Sequence, residues 1–166
     1  MIEEIEYLIQ KYSNKGILID TNILLLFFVG AVRKSRISRF KRTRQFTALD
    51  YEQLIIFLQN FKTIVATPNV LTEVSSFINQ LGEPDRSKCY VLFAEEIKVE
   101  TVTESFIPSR SVVSTDWDFL KYGLTDCGIA AVAKDRYLVL TDDFNAVHYF
   151  YTKGVDTVNF NNIRTY

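Results

Sequence analysis

The chain has 166 residues, 48% of them hydrophobic, which is enough for one domain with a substantial core and too few for two independent ones. Its two cysteines, Cys89 and Cys127, are far apart, the acidic start MIEEIEYLIQ has no positive n-region, and the longest apolar run, Ile23 to Val32, is well short of the roughly 18 residues that cross a bilayer; a disulfide framework, a secretory signal and a membrane span are therefore not expected. Net charge is only -1, but seven of the 19 basic residues fall in the twelve positions 33–44 without one acid, leaving 12 basic against 20 acidic residues elsewhere. The expectation is a single domain over 1–166 in a reducing cytoplasm, with a basic insert at about 33–44.

Ile2, Ile5, Leu8, Ile9 and Tyr12 recur at helical spacing and predict a short amphipathic helix over 2–12. After Gly16, ILI reads as a buried strand. The run that follows predicts a helix from about Asn22 to Val32. Between strand and helix stands Asp20, in GILIDTNILLLFF. A carboxylate between two apolar runs needs compensation, because desolvating it costs several kcal/mol unless a counter-charge, a metal or hydrogen bonds offset that. Two readings are open. Asp20 caps the helix, or it lies at the carboxyl end of a parallel strand, where open α/β sheets bind ligands.

The basic segment follows: Arg33, Lys34, Arg36, Arg39, Lys41, Arg42 and Arg44. Such asymmetry suits a nucleic-acid contact beside an acidic site, and equally a mobile solvated loop or a docking patch for an acidic protein. Phe40 and Phe46 within and beside it could stack on unpaired bases or pack into the core. TALD at 47–50 is a capping-box pattern opening a helix with Tyr51, Leu54, Ile55 and Leu58 on one face. TIVAT at 63–67 reads as a second buried strand. Pro68 fits the first position of a helix running to about Leu81; GEPD breaks it, and another helix covers roughly 86–97. Residues 98–118, interrupted by Ser, Thr and Pro108, read as short helices and loops. After Gly123, LTDCGIAAVAKD reads as a helix with a Thr cap and small residues for close packing on a sheet. RYLVLTDD is a strand ending in acids, a helix covers about 144–152, and GVDTV makes a last strand. Strands alternating with helices predict an α/β fold, a three-layer α/β/α sandwich around a central parallel sheet.

In such a sheet the carboxyl ends of the strands and the helix starts after them face one crevice. Asp20 and the pair Asp142 and Asp143 follow strands, Asp126 begins a helix, and Glu73 lies at the border of the buried face of its helix. Each alone has a structural explanation, as a cap, a favourable charge on a helix dipole or a partner for a surface Lys. Together they would repel and raise one another's pKa values, which a cation would relieve. Oxygen donors without neighbouring His or Cys suit Mg²⁺ or Mn²⁺ rather than zinc. The lone His148 reads as structural on a partly buried helix face, and Cys127 as core.

ILIDTN, TPNVLTEVSSF, GLTDCGIAAVA and LVLTDDFNA resemble the four acidic motifs of the PIN-domain nucleases, in that family's order, over residues 17–146. The resemblance implies a PIN-like α/β/α sandwich and metal-dependent hydrolysis of phosphodiesters, most often in RNA. Its acids would fall on Asp20, Glu73, Asp126 and Asp143, with Asp142 a neighbouring candidate. Asp20, Asp126, Asp143 and Asp142 would serve as metal ligands, and Glu73 would orient water or share a metal. Asn22 and Thr141 resemble the polar supports of that site. An endoribonuclease acting through Mg²⁺ or Mn²⁺ is the function implied, with the basic segment as a phosphate-binding arm. The resemblance also admits an inhibitory protein partner and a homodimer. The leading helix and the basic arm depart from the compact ribonuclease toxins of bacterial toxin–antitoxin pairs. Two other classes remain: a non-catalytic PIN-like module binding nucleic acid or protein, and an Asp-centred phosphoryl enzyme of receiver or haloacid-dehalogenase type. For the latter, DTNI lacks the second Asp of DxDx[TV].

Overall fold

The computed structural model describes residues 2–114 and 116–164; Met1, Thr165 and Tyr166, the ends of the expected single-domain span, and Thr115 in the irregular segment lie outside the described residues. Helix α1 (Ile2–Tyr12) leads into β1 (Ile17–Ile19) and α2 (Thr21–Val32). Every residue of β1 is buried, and so are Ile23, Leu24, Leu25, Leu26, Phe28 and Val29 of α2. This apolar helix is enclosed by other helices, as a helix hydrophobic all round must be. It packs against α3 (Ala48–Leu58), α4 (Pro68–Ile78) and α5 (Asp85–Lys98). The capping box at the start of α3 forms, with Thr47 and Asp50 bonded reciprocally, and Thr67 caps α4 with Pro68 in its first turn.

Between α3 and α4 runs β2 (Ile64–Ala66); after α5 come β3 (Val102–Glu104), α6 (Trp117–Ala133), β4 (Leu138–Thr141), α7 (Phe144–Thr152) and β5 (Thr157–Asn159). All five strands form one parallel sheet in the order β3-β2-β1-β4-β5, flanked by helices, the expected three-layer α/β/α arrangement. Adjacent parallel strands need long crossovers, and the helices supply them. Among the described residues no helix is long and apolar enough to cross a membrane.

Several sequence expectations change. The irregular segment 98–118 contains β3, a three-residue edge strand of which only Val102 is buried; so short and half-exposed a strand leaves no hydrophobic pattern to read. The helix expected to begin after Gly123 with a Thr cap instead starts at Trp117 and is kinked at Gly123 (φ 73°, ψ −169°), so Thr125 lies inside its second piece. The basic segment is partly ordered, with a 3-10 helix over Lys34–Arg39 anchored by buried Ile37 and by the side chain of Thr43 bonded to the Ile37 carbonyl. Phe40 and Phe46 are both buried, Phe46 edge-on to Phe160, so neither offers a stacking face. His148 is exposed rather than partly buried.

Gly123 occupies a backbone region open almost only to glycine. A Cβ there would meet no atom within 4 Å, so the cost of a side chain is conformational. Gly123→Ala is expected to destabilise by about 1–3 kcal/mol, seen as a lower urea midpoint at unchanged m-value. An unchanged midpoint would show that the kink is not required.

Candidate active site

The strand order reverses between β1 and β4, the switch point at which open α/β sheets form a ligand crevice beyond their carboxyl ends. Asp20 leaves β1 at this point, its N–H donating to the Leu140 carbonyl. Its side chain caps α2 weakly, accepting at Oδ1 from the N–H of Thr21 (2.6 Å), while Oδ2 accepts from the Thr141 hydroxyl (2.7 Å). Both readings of Asp20 therefore hold: it caps a helix and faces the crevice. Thr141 also accepts from the N–H of Asp143 (3.1 Å), tying the end of β4 to the start of α7.

The structure brings all five acids to this crevice. Asp142 accepts from Asn22 Nδ2 (3.1 Å). Asp143 is the exposed cap of α7, its Oδ1 accepting from the N–H groups of Asn145 (2.7 Å) and Ala146 (3.3 Å). Asp126 sits in the first turn after the Gly123 kink. Both oxygens of Glu73 accept hydroxyls, Oε2 from Thr21 (2.7 Å) and Oε1 from Thr125 (2.5 Å), so Glu73 bridges α2 and α6.

Burial raises the Asp20 carboxyl to about 6, overcoming the two hydrogen bonds that favour its charged form; Asp142 and Glu73 push the same way. Asp126 rises to about 7, first through burial and then through the charges of Asp20, Asp143 and Glu73. Asp142 is also raised, chiefly by burial. None of the five carboxylates joins an ion pair among the described residues. In donor chemistry the set fits a hard divalent cation. It is not a preformed cage: among the described residues no three Cys, His, Asp or Glu side chains gather as a metal-ligand group. The acids lie within Coulombic reach of one another, and Asp20, Glu73, Asp142 and Asp143 turn onto protein donors.

The basic residues divide. Arg33 and Arg36 approach buried Asp85, Lys34 pairs with Glu52, and Arg42 lies over the Phe77 ring with its Nε on Gln80. Arg39, Lys41 and Arg44 are exposed and form no ion pair among the described residues. The segment reaches the crevice through a clasp that nothing in the sequence signals. Arg164 binds both oxygens of buried Asp50 (2.9 and 3.0 Å), the Gln45 carbonyl (2.7 Å) and Asn161 Oδ1 (2.9 Å). Asn161 in turn donates to the Asp142 carbonyl (2.9 Å). Cys127 is buried beneath the Tyr149 hydroxyl (3.2 Å), as core.

In comparisons with known proteins, no family model, no curated protein and no solved structure matches this chain.

The raised carboxyls set a pH dependence. Between their ordinary value of 3.8 and values of about 6 and 7, Asp20 and Asp126 hold protons in the folded chain that they release when unfolded. Their stabilisation is complete below about pH 4 and is lost as pH rises through 6 to 7. Melting in EDTA is expected to occur at lower temperature at pH 8 than at pH 5. Asp126→Asn should narrow that gap, and Mn²⁺ should raise the midpoint more at pH 8 than at pH 5. Equal gaps for wild type and variant would contradict the cause given.

Proposed function

We propose that this chain is a PIN-like nuclease, hydrolysing phosphodiester bonds with Mg²⁺ or Mn²⁺ and acting as an endoribonuclease. The observation that carries the reading is that Asp20, Glu73, Asp126, Asp142 and Asp143 lie within Coulombic reach of one another around the sheet's switch point with no cationic partner among the described residues. Asp20, Asp126, Asp142 and Asp143 are the residues that would hold the ion. When bound, a divalent ion supplies charge neutralisation, polarisation of the scissile phosphate and a lowered pKa for water.

The chain's own residues prepare that site. Thr141 and the Thr21 N–H fix the Asp20 carboxylate, and Asn22 fixes Asp142. Glu73 holds α2 and α6 at a set separation through two hydroxyls, a positioning role that leaves it less free to act on water than the other acids. Arg39, Lys41 and Arg44 supply positive charge without an ion-pair partner among the described residues, on the segment that Arg164 ties to the crevice through the Gln45 carbonyl and Asn161. Net attraction to a polyanion comes from this segment, since the remainder of the chain is acidic.

A second reading has one observation in its favour. With no preformed three-ligand group among the described residues, the same crevice would suit a non-catalytic PIN-like binding module. Cleavage separates the two. Purified protein is incubated with unpaired and structured RNA and with single-stranded DNA in Mn²⁺, Mg²⁺ or EDTA. Metal-dependent RNA cleavage is expected. Asp20→Asn and Asp126→Asn should each reduce it by more than the roughly 10- to 100-fold typical of residues one step removed from a metal. RNA binding without cleavage in any metal would favour the binding module.

Replacing Arg39, Lys41 and Arg44 together by Gln should weaken RNA binding at low salt. The slope of log affinity against log salt should become shallower by about 2, at about 0.7 per phosphate contact on a single strand. An unchanged slope would remove the basic segment from the interface.

A further inference from the structure

The two aromatic side chains of the basic segment are buried, yet two others stand exposed along the carboxyl edge of the sheet. Phe106, two residues beyond β3, is 72% exposed, and Phe144, next to Asp143 at the start of α7, is 69% exposed. An isolated exposed phenyl is ordinary on a protein surface. These two differ by position.

Strand order places them on opposite sides of the acids. Along β3-β2-β1-β4 the carboxyl edge presents Phe106 after β3, Glu73 in the helix after β2, Asp20 after β1, and Asp142, Asp143 and Phe144 after β4. The end of β3 is anchored, the Ser105 N–H extending the ladder to the Ala66 carbonyl at 2.9 Å. Three inter-strand steps of about 4.8 Å put β3 and β4 roughly 14 Å apart. This is the scale of a few nucleotides.

Phe106 also lines an open groove of about 440 Å³ that reaches Glu73, shared with Asn69, Ser109, Leu124 and Thr125. Its chemistry is that of a nucleobase site: a phenyl face and an apolar Leu124 wall for the ring, with amide and hydroxyl groups of Asn69 and Ser109 at hand for its edges. Glu73 and Thr125 close the end toward the crevice, where their mutual hydrogen bond is made.

We propose, resting on the nuclease reading above, that Phe106 and Phe144 are base-stacking subsites flanking the cut, with an unpaired base lodged on Phe106 in the groove beside Glu73. The phosphate between the two subsites then lies over the carboxylates. A paired base, already stacked within its helix, has no face to offer Phe106. The site therefore selects strands unpaired on both sides of the scissile bond. Asn69 and Ser109 are the residues placed to favour one base over another.

The test is binding by fluorescence anisotropy in EDTA, which needs no cleavage. The probes are a 12-nucleotide unpaired RNA, an abasic strand of the same length and charge, and a blunt RNA hairpin. Phe106→Ala is expected to weaken binding of the unpaired RNA by roughly 5- to 150-fold while changing the abasic strand and the hairpin less than about twofold. Phe106→Trp should retain binding, and Phe144→Ala should repeat the selective loss. Because both side chains are exposed, these substitutions leave the core intact. If wild type binds RNA and abasic strand alike, or both Ala variants bind RNA as wild type does, the subsites are overturned while metal-dependent cleavage still supports the nuclease reading. If wild type cuts no nucleic acid in Mn²⁺ or Mg²⁺, the nuclease reading falls and the cut-flanking role falls with it.

Discussion

The hydrogen bond from the Thr141 hydroxyl to Asp20 joins the ends of two strands that are 121 residues apart in sequence and side by side in the sheet. It exists because β1 pairs with β4 in parallel, and that pairing is also the point where the order of the sheet reverses. The placement of the other acids depends on this juncture. Asp20 and Asp126 are too buried here to be solvated like surface groups and have no cationic side chain beside them among the described residues, so each must be protonated, hydrogen-bonded or neutralised from outside. The raised Asp20 and Asp126 carboxyls are the electrostatic expression of that constraint.

The apolar wall behind the crevice makes the constraint possible. Helix α2 is buried over most of its surface and held between α3, α4 and α5, so its N-terminus is fixed relative to the sheet. Thr21 and Asn22, its first two residues, thereby become fixed donors, one to Glu73 and the other to Asp142. Glu73 connects this end of α2 to α6, and Gly123 lets α6 turn so that Asp126 comes to the same place. Rigid hydrophobic packing thus positions a cluster of groups that repel one another. Left to themselves they would separate, and the cost of holding them together is borne by the core.

Around the acids the charge pattern is resolved into parts with different work. Asp85 and Glu52 engage three of the seven basic residues and pin the start of the basic segment to α5 and α3, while Arg164 pins its far end through Asp50 and Gln45. Arg39, Lys41 and Arg44 form no ion pair among the described residues, a smaller set than the linear run suggests. The exposed aromatics lie elsewhere, on the carboxyl edge at Phe106 and Phe144. An acidic centre bordered by aromatic faces, with basic charge attached through Arg164 and Asn161, is the surface on which the proposed recognition of unpaired nucleic acid rests.

Much of this was legible in the residues themselves. Alternating short apolar runs and amphipathic stretches determine the order of strands and helices, because each must bury one face, and Asp20, Glu73, Asp126, Asp142 and Asp143 stand out because each interrupts or borders an apolar run. Thr47 with Asp50, and Thr67 with Pro68, announce helix starts through interactions within four residues. Tertiary structure alone decided what depends on distant partners. β3 is a strand only because β2 offers it a ladder, and Phe40 and Phe46 are core only because the segment folds back onto the domain. Arg164 is a clasp only because Asp50, 114 residues earlier, is buried opposite it. Local sequence sets backbone preference and the face to be buried; burial, charge pairing and exposure are properties of neighbours, and only the fold supplies those.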